Sequence, residues 1–124
     1  MPRVNYAHLT IECLDCDREV LNTASKVRKA LREAAAICSL HILKEGLHRF
    51  RPQGLTGYVL LSESHISVHT WPEKGFALVD VLSCSSVQID SLIECFRQSF
   101  SPKSIAVLTH TRECSETSFF RKVS

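Results

Sequence analysis

No apolar run in this chain approaches the ~20 residues that a membrane-spanning helix requires, and residues 1–7 lack the apolar core of a secretory leader. The expected setting is therefore the cytoplasm, with no membrane partner. An excess of one charge is also missing. Fifteen basic residues meet 13 acidic ones for a net charge of +2, which gives no electrostatic footing for nucleic-acid binding. Glycine and proline number only four each, and no linker, internal repeat or low-complexity stretch interrupts the chain. What is present is an apolar fraction of 44% and a charged fraction of 23%, the make-up of a folded globular protein. A length of 124 residues is room for one domain. Any active site in so short a chain would have few loops to spare, so an oligomer with shared sites is expected.

Disulfide scaffolding is excluded as well. The six cysteines, at 13, 16, 38, 84, 95 and 114, fall short of the ~8–10% that marks such scaffolds. Cys13 and Cys16 are the one close pair, and no second pair completes a zinc site of the usual spacing. In a chain with no leader, reduced thiols are expected, with Cys38 and Cys95 buried as small apolar residues inside helices.

The hydrophobic periodicity resolves into eight elements. Residues 6–13 read as a strand with Leu9 and Ile11 on one face. Asp15 and Asp17 mark a turn. Residues 18–38 read as one amphipathic helix, because Val20, Ala24, Val27, Leu31, Ala34 and Cys38 recur at steps of three and four. Strands are expected at 40–50, with Leu40 and Ile42 on one face and a bulge or bend at Gly46, and at 57–61, 66–70 and 76–82. A second helix carries Ile89, Leu92, Ile93, Phe96 and Phe100, with Ser86 or Asp90 as its cap. Residues 104–112 form a last strand and 113–124 a frayed tail. The economical arrangement of β-α-β-β-β-β-α-β is an α+β two-layer sandwich, with two helices on one face of a mostly antiparallel sheet.

The chemistry concentrates in residues 61–73, where serines, two histidines and two carboxylates crowd together. On a strand His65, Ser67 and His69 share one face, with Ile66 and Val68 on the other. Three readings are open for the block by itself. It is an exposed polar strand face, a metal site on His65 and His69 that lacks an evident third ligand, or a nucleophilic serine or cysteine with a histidine nearby.

From about His8 to Arg112 the chain resembles prokaryotic S-adenosylmethionine decarboxylases. The resemblance is carried by His8-Leu9-Thr10-Ile11-Glu12, Asp15-Cys16-Asp17, His48-Arg49-Phe50 and Gly54-Leu55-Thr56-Gly57. It continues in Ser62-Glu63-Ser64-His65, His69-Thr70-Trp71-Pro72-Glu73, Val79-Asp80-Val81 and Cys84. It implies a self-processing proenzyme in which the Ser64 hydroxyl attacks the Glu63 carbonyl and turns the Glu63–Ser64 amide into an ester. Loss of the Ser64 α-proton then expels the Glu63 carboxylate, and hydrolysis leaves a pyruvoyl group on residue 64. The products are a β chain, 1–63, and an α chain, 64–124. Such a turn must hold hydroxyl and carbonyl close in a strained geometry and stabilise the oxyanion that forms.

The resemblance assigns His69 as the base that removes the α-proton, a task suited to an imidazole of ordinary pKa ~6.5, with Thr56 supporting the same step. His65 is given local support only. It implies that the pyruvoyl group forms a Schiff base with the substrate amine and serves as electron sink, with neither metal nor pyridoxal phosphate. Cys84 is assigned as the acid that returns a proton to the product; without the other motifs it would read as a buried residue at a strand end. Phe50 is implied to stack on adenine and Glu73 to bind the ribose hydroxyls, so the small-molecule substrate is S-adenosylmethionine and the product feeds spermidine synthesis. A homodimer with sites at its interface is implied too.

Some residues depart from the family pattern. Thr56 stands at a serine position, Lys74 at an aromatic one, and Asp15 and Ser85 at glycines. Lys74 puts a cation beside the ribose contact of a sulfonium substrate. A pyruvoyl-dependent ornithine or arginine decarboxylase and a catalytically silent regulatory paralogue are the alternatives. A metal-binding module built on Cys13, Cys16 and nearby histidines is a more distant one.

Overall fold

In a computed structural model, residues 4–38 and 41–114 are described. The strands β1 (Val4–Leu14), β2 (Ile42–Arg49), β3 (Leu55–Leu61), β4 (Ser64–Trp71), β5 (Phe76–Ser83) and β6 (Ser104–Cys114) make one sheet. Its order is β2-β3-β4-β5-β1-β6, and every neighbouring pair is antiparallel. The helices α2 (Ala24–Ile37) and α3 (Ile89–Phe100) cover one face. This is the α+β two-layer sandwich that the hydrophobic pattern implies. No helix among the described residues is long and apolar enough to cross a membrane.

The core lies between helices and sheet. The period of two sends Leu9, Ile11 and Cys13 of β1, Ile66 and Val68 of β4, and Val79 and Val81 of β5 into it. Val27, Leu31 and Ala34 of α2 and Leu92, Phe96 and Phe100 of α3 meet them from the helix layer. A bidentate Arg32–Glu45 pair, at 2.6 and 3.0 Å, ties α2 to β2 and holds the Glu45 carboxyl below its ordinary range.

Several local expectations change. The helix over 18–38 is two: α1 (Arg18–Leu21), capped by the Asp17 carboxylate, and α2, separated by Asn22 and Thr23. Asn22 uses its side chain elsewhere, accepting the Gly54 N–H at 3.0 Å, and Thr23 bonds back to the Glu19 carbonyl at 2.7 Å. Both residue types compete with the helical backbone in this way. The irregularity expected at Gly46 lies instead between Ile42 and Lys44. Gly46 is small because the Tyr58 ring lies on it, in the space a Cβ would need. Neither Ser86 nor Asp90 caps α3: Gln88 holds that position and makes no side-chain bond there. The last strand continues through Cys114. The expected placement of Leu40 and the remainder of the tail, 115–124, lie outside the described residues.

Thr70 joins three elements beneath the sheet. Its buried hydroxyl donates to the Leu21 carbonyl at 2.8 Å and accepts the Leu55 N–H at 2.9 Å. It thereby pins the end of β4 to the start of β3 and to α1. Thr70→Val keeps the shape but leaves both backbone groups unpaired, at a cost of roughly 1–3 kcal/mol. Urea denaturation should show this loss, and Thr70→Ser should recover most of it.

Candidate active site

The residues singled out in the sequence fall into two groups on opposite faces of the sheet. β4 alternates strictly, with Ser64, Ile66, Val68 and Thr70 buried towards the helices and His65, Ser67 and His69 half-buried on the open face. Ser64 and His69 therefore point away from each other. Five residue steps along the strand separate them, roughly 16 Å at ~3.3 Å per residue.

The first group centres on Ser64. Leu61 and Ser64 close a two-residue hairpin between β3 and β4, and its second turn residue, Glu63, has φ +60°. That left-handed conformation is uncommon for a residue with a Cβ and stores of the order of 1 kcal/mol of strain. It falls on the residue that carries the carbonyl of the Glu63–Ser64 bond. Ser64 itself is 7% exposed and lies in register with Ser83 of β5. Its hydroxyl donates to Ser83 Oγ at 3.2 Å. Cys84, one residue beyond Ser83, is exposed, so the buried strand-end reading of this cysteine does not hold.

The second group centres on His69 on the open face, with Glu73 set apart from it beside α1. Thr56 of β3 is the cross-strand partner of His69, and Thr56 Oγ1 lies 2.8 Å from His69 Nδ1. With Nδ1–H donating to Thr56, the Nε2 lone pair of His69 is free to take a proton. The Trp71 ring lies 6.2 Å from that of His69 and 5.5 Å from that of Phe76. Phe50 follows β2 with its ring edge-on to His48 at 4.7 Å, and is 48% exposed. Glu73 is exposed on the one-turn 3-10 helix Pro72–Lys74 and shares a shallow hollow with Arg18, Asn22 and Gln53. Lys74 beside it is exposed too.

Two features escaped the sequence reading. Asp80 of β5 accepts from His8 Nε2 at 2.6 Å and from His65 Nε2 at 3.4 Å, so His65 is held by a carboxylate. The signal was a lone acid at an open-face position of an otherwise apolar strand. Ser83 gives no such signal until the register of β4 and β5 is known. Among the described residues no group of three or more His, Cys, Asp or Glu side chains could hold a metal ion.

The thiols differ sharply. A hydrogen bond with Cys16 and burial push the Cys13 thiol up, while the same bond holds Cys16 below the ordinary value. Burial, aided by Glu33, pushes Cys95 up to about 11. Only the thiolate reacts, and only where reagent reaches it. Brief iodoacetamide treatment at neutral pH followed by peptide mapping should modify Cys84 at least about tenfold faster than Cys13 or Cys95.

The family model described as S-adenosylmethionine decarboxylase matches residues 7–113. An S-adenosylmethionine decarboxylase proenzyme of Prochlorococcus marinus is 40% identical over 107 residues, covering 86% of each chain. One of Thermotoga maritima is 36% identical over 106 residues, 85% of this chain and 82% of the relative. The crystal structure of the adenosylmethionine decarboxylase from Aquifex aeolicus superposes with a TM-score of 0.80 at 28% identity, over 95% of this chain and 98% of that one. A Trypanosoma brucei AdoMetDC monomer, at 14% identity and a TM-score of 0.60, shares the fold over 86% of this chain and 45% of its own. The match runs through every strand of the sheet and both groups of site residues, and this chain belongs to the S-adenosylmethionine decarboxylase family.

Proposed function

We propose that the chain is a self-processing, pyruvoyl-dependent S-adenosylmethionine decarboxylase, a reading carried above all by the hairpin at Ser64. A buried serine hydroxyl directly follows a residue held at φ +60°, which is the setting that acyl transfer within a peptide bond requires. Ser64 Oγ bonds to the Glu63 carbonyl carbon, the C–N bond breaks, and the hydroxyl proton ends on the Ser64 nitrogen. His69 then removes the Ser64 α-proton, the Glu63 carboxylate leaves, and water releases ammonia. The chain becomes 1–63 and 64–124, with a pyruvoyl group heading the second.

When formed, the pyruvoyl group supplies the electron sink for loss of carbon dioxide. The residues present fit such a group, because nucleophile, strained carbonyl and an accessible acid at Cys84 lie at one end of the β4–β5 pair. Cys84 returns the proton to the product. Phe50 presents a free aromatic face for adenine, and Glu73 a carboxylate for the ribose hydroxyls. Lys74 stays in solvent beside it.

His69 lies five steps along β4 from Ser64 of its own chain, roughly 16 Å, so the proposed base is the His69 of a second copy packed on the open face, reaching the Ser64 α-carbon from that side. That face supports the reading, since Tyr58, Leu60, Trp71 and Leu108 are 36–58% exposed on it. Bare sheet faces with large apolar side chains are usually covered. The proposed assembly is a homodimer with each site shared.

Intact mass of the purified protein should show the two fragments, and a panel of labelled S-adenosylmethionine, ornithine and arginine should release carbon dioxide from the first alone. Ser64→Ala should stay full-length and inactive. A persistently uncleaved wild-type chain would favour the silent paralogue instead. Co-expressing Ser64→Ala with His69→Ala chains should restore cleavage of the His69→Ala chain, because the mixed dimer holds one complete processing site. No cleavage in verified mixed dimers would place both groups in one chain and sink the shared site.

A further inference from the structure

The hydroxyl of Ser64 has no histidine on its own side of the sheet. His69 and His65 both point to the open face, and the side chains flanking Ser64 on the core face are Leu61, Ile66 and Val81. None of these titrates. What the hydroxyl does meet is Ser83 Oγ, at 3.2 Å.

Ser83 is an odd residue for its place. The core-facing positions of β5 are Ala77, Val79, Val81 and Ser83, and the last is 2% exposed. A buried hydroxyl costs stability unless it is bonded. Ser83 Oγ also accepts the backbone N–H of Ser85 at 3.1 Å. With bonds from Ser64 and Ser85 both lone pairs are filled, so the oxygen is fixed in orientation.

We infer that Ser83 is a catalytic residue of self-cleavage: by accepting the hydrogen bond of the Ser64 hydroxyl it holds Ser64 Oγ for attack on the Glu63 carbonyl carbon and enriches that oxygen in electron density. This rests on the processing reading above and extends it to the first step, at a hydroxyl that faces the core, away from the His69 of its own chain. Donating a hydrogen bond makes an oxygen the better nucleophile, and linked hydrogen bonds polarise one another. The balance is that of an acyl shift. The Oγ–C bond forms, the C–N bond breaks, and the proton leaving Oγ ends on the Ser64 nitrogen, with no oxidant or co-reactant. Ser83 is needed in acyl transfer and not in the elimination that follows.

The two steps separate in the His69→Ala chain, where elimination is blocked and hydroxylamine splits whatever ester has formed between residues 63 and 64. The rate of hydroxylamine cleavage then reads acyl transfer alone. Adding Ser83→Ala should lower that rate about tenfold, the worth of one good hydrogen bond in the transition state. Ser83→Thr in the same background keeps the hydroxyl and should hold the rate within about threefold of its parent. Circular dichroism and melting temperature check that the chains are folded. Should the alanine chain fail that check, Ser83→Cys, of similar volume and a weak hydrogen-bonding partner, takes its place with the same expected loss. Equal rates with and without the Ser83 substitution overturn the role of Ser83 and leave the processing reading standing. Absence of any hydroxylamine-sensitive bond in His69→Ala itself, or an uncleaved wild-type chain, overturns the processing reading and Ser83 with it.

Discussion

The two-residue period of β4 is the constraint on which the rest of the site depends. A strand cannot turn Ser64 and His69 to one side, because the offset between them, five positions, is odd. Burial fixes which side each takes. Ile66 and Val68 must enter the core, so Ser64 goes in with them and His69 goes out with His65. A slip of one residue would expose the apolar set. The core thus dictates a division, with the Ser64 hydroxyl buried under the sheet and the His69 imidazole on top of it; on the proposed function these are the nucleophile and the general base. On that proposal a chain so divided would be chemically incomplete by itself. Its exposed aromatic and aliphatic side chains on the upper face are what a second copy would cover.

Most of this fold was legible because its elements are strongly periodic. All six strands and both long helices follow from spacing, and the alternation of His65, Ser67 and His69 against Ile66 and Val68 was readable residue by residue. The break at Asn22 and Thr23 was not, because it depends on what Asn22 meets 32 residues away at Gly54. The cap of α3 was missed for the converse reason: Ser86 and Asp90 are good caps by type, yet the chain enters the helix at Gln88. Local chemistry proposes such features, and tertiary contacts select among them.

At the site, residue types announced themselves and their neighbours did not. Ser64, His69, Thr56 and Cys84 carry motif signals, and the pairing of Thr56 with His69 follows once β3 and β4 are joined by a two-residue turn. Ser83 is visible only through register, and Asp80, a lone acid in an apolar strand, reveals its partners His8 and His65 only through it. Cys84 shows the limit of reasoning from averages. Free cysteines are usually buried, but the chain leaves the sheet after Ser83 and this one is open to solvent.

The sheet order also explains how so small a chain could survive cutting itself. Breaking the bond after Glu63 would divide the strands into β1, β2 and β3 on one fragment and β4, β5 and β6 on the other. In space the order is β2-β3-β4-β5-β1-β6, so β1 is held between β5 and β6 of the other fragment while β3 pairs with β4. Three of the five strand pairings, β3–β4, β5–β1 and β1–β6, would then join different fragments. α2 belongs to the first piece and α3 to the second, and they share one core. Neither fragment can bury its apolar face without the other, which is the ordinary limit for chains of this size. On the proposed processing, folding would have to precede cleavage, and the fragments would stay together afterwards because their strands interleave. The same interleaving lets strain sit at Glu63: β2 and β5 clamp the hairpin from both sides through pairings that do not depend on the Glu63–Ser64 bond.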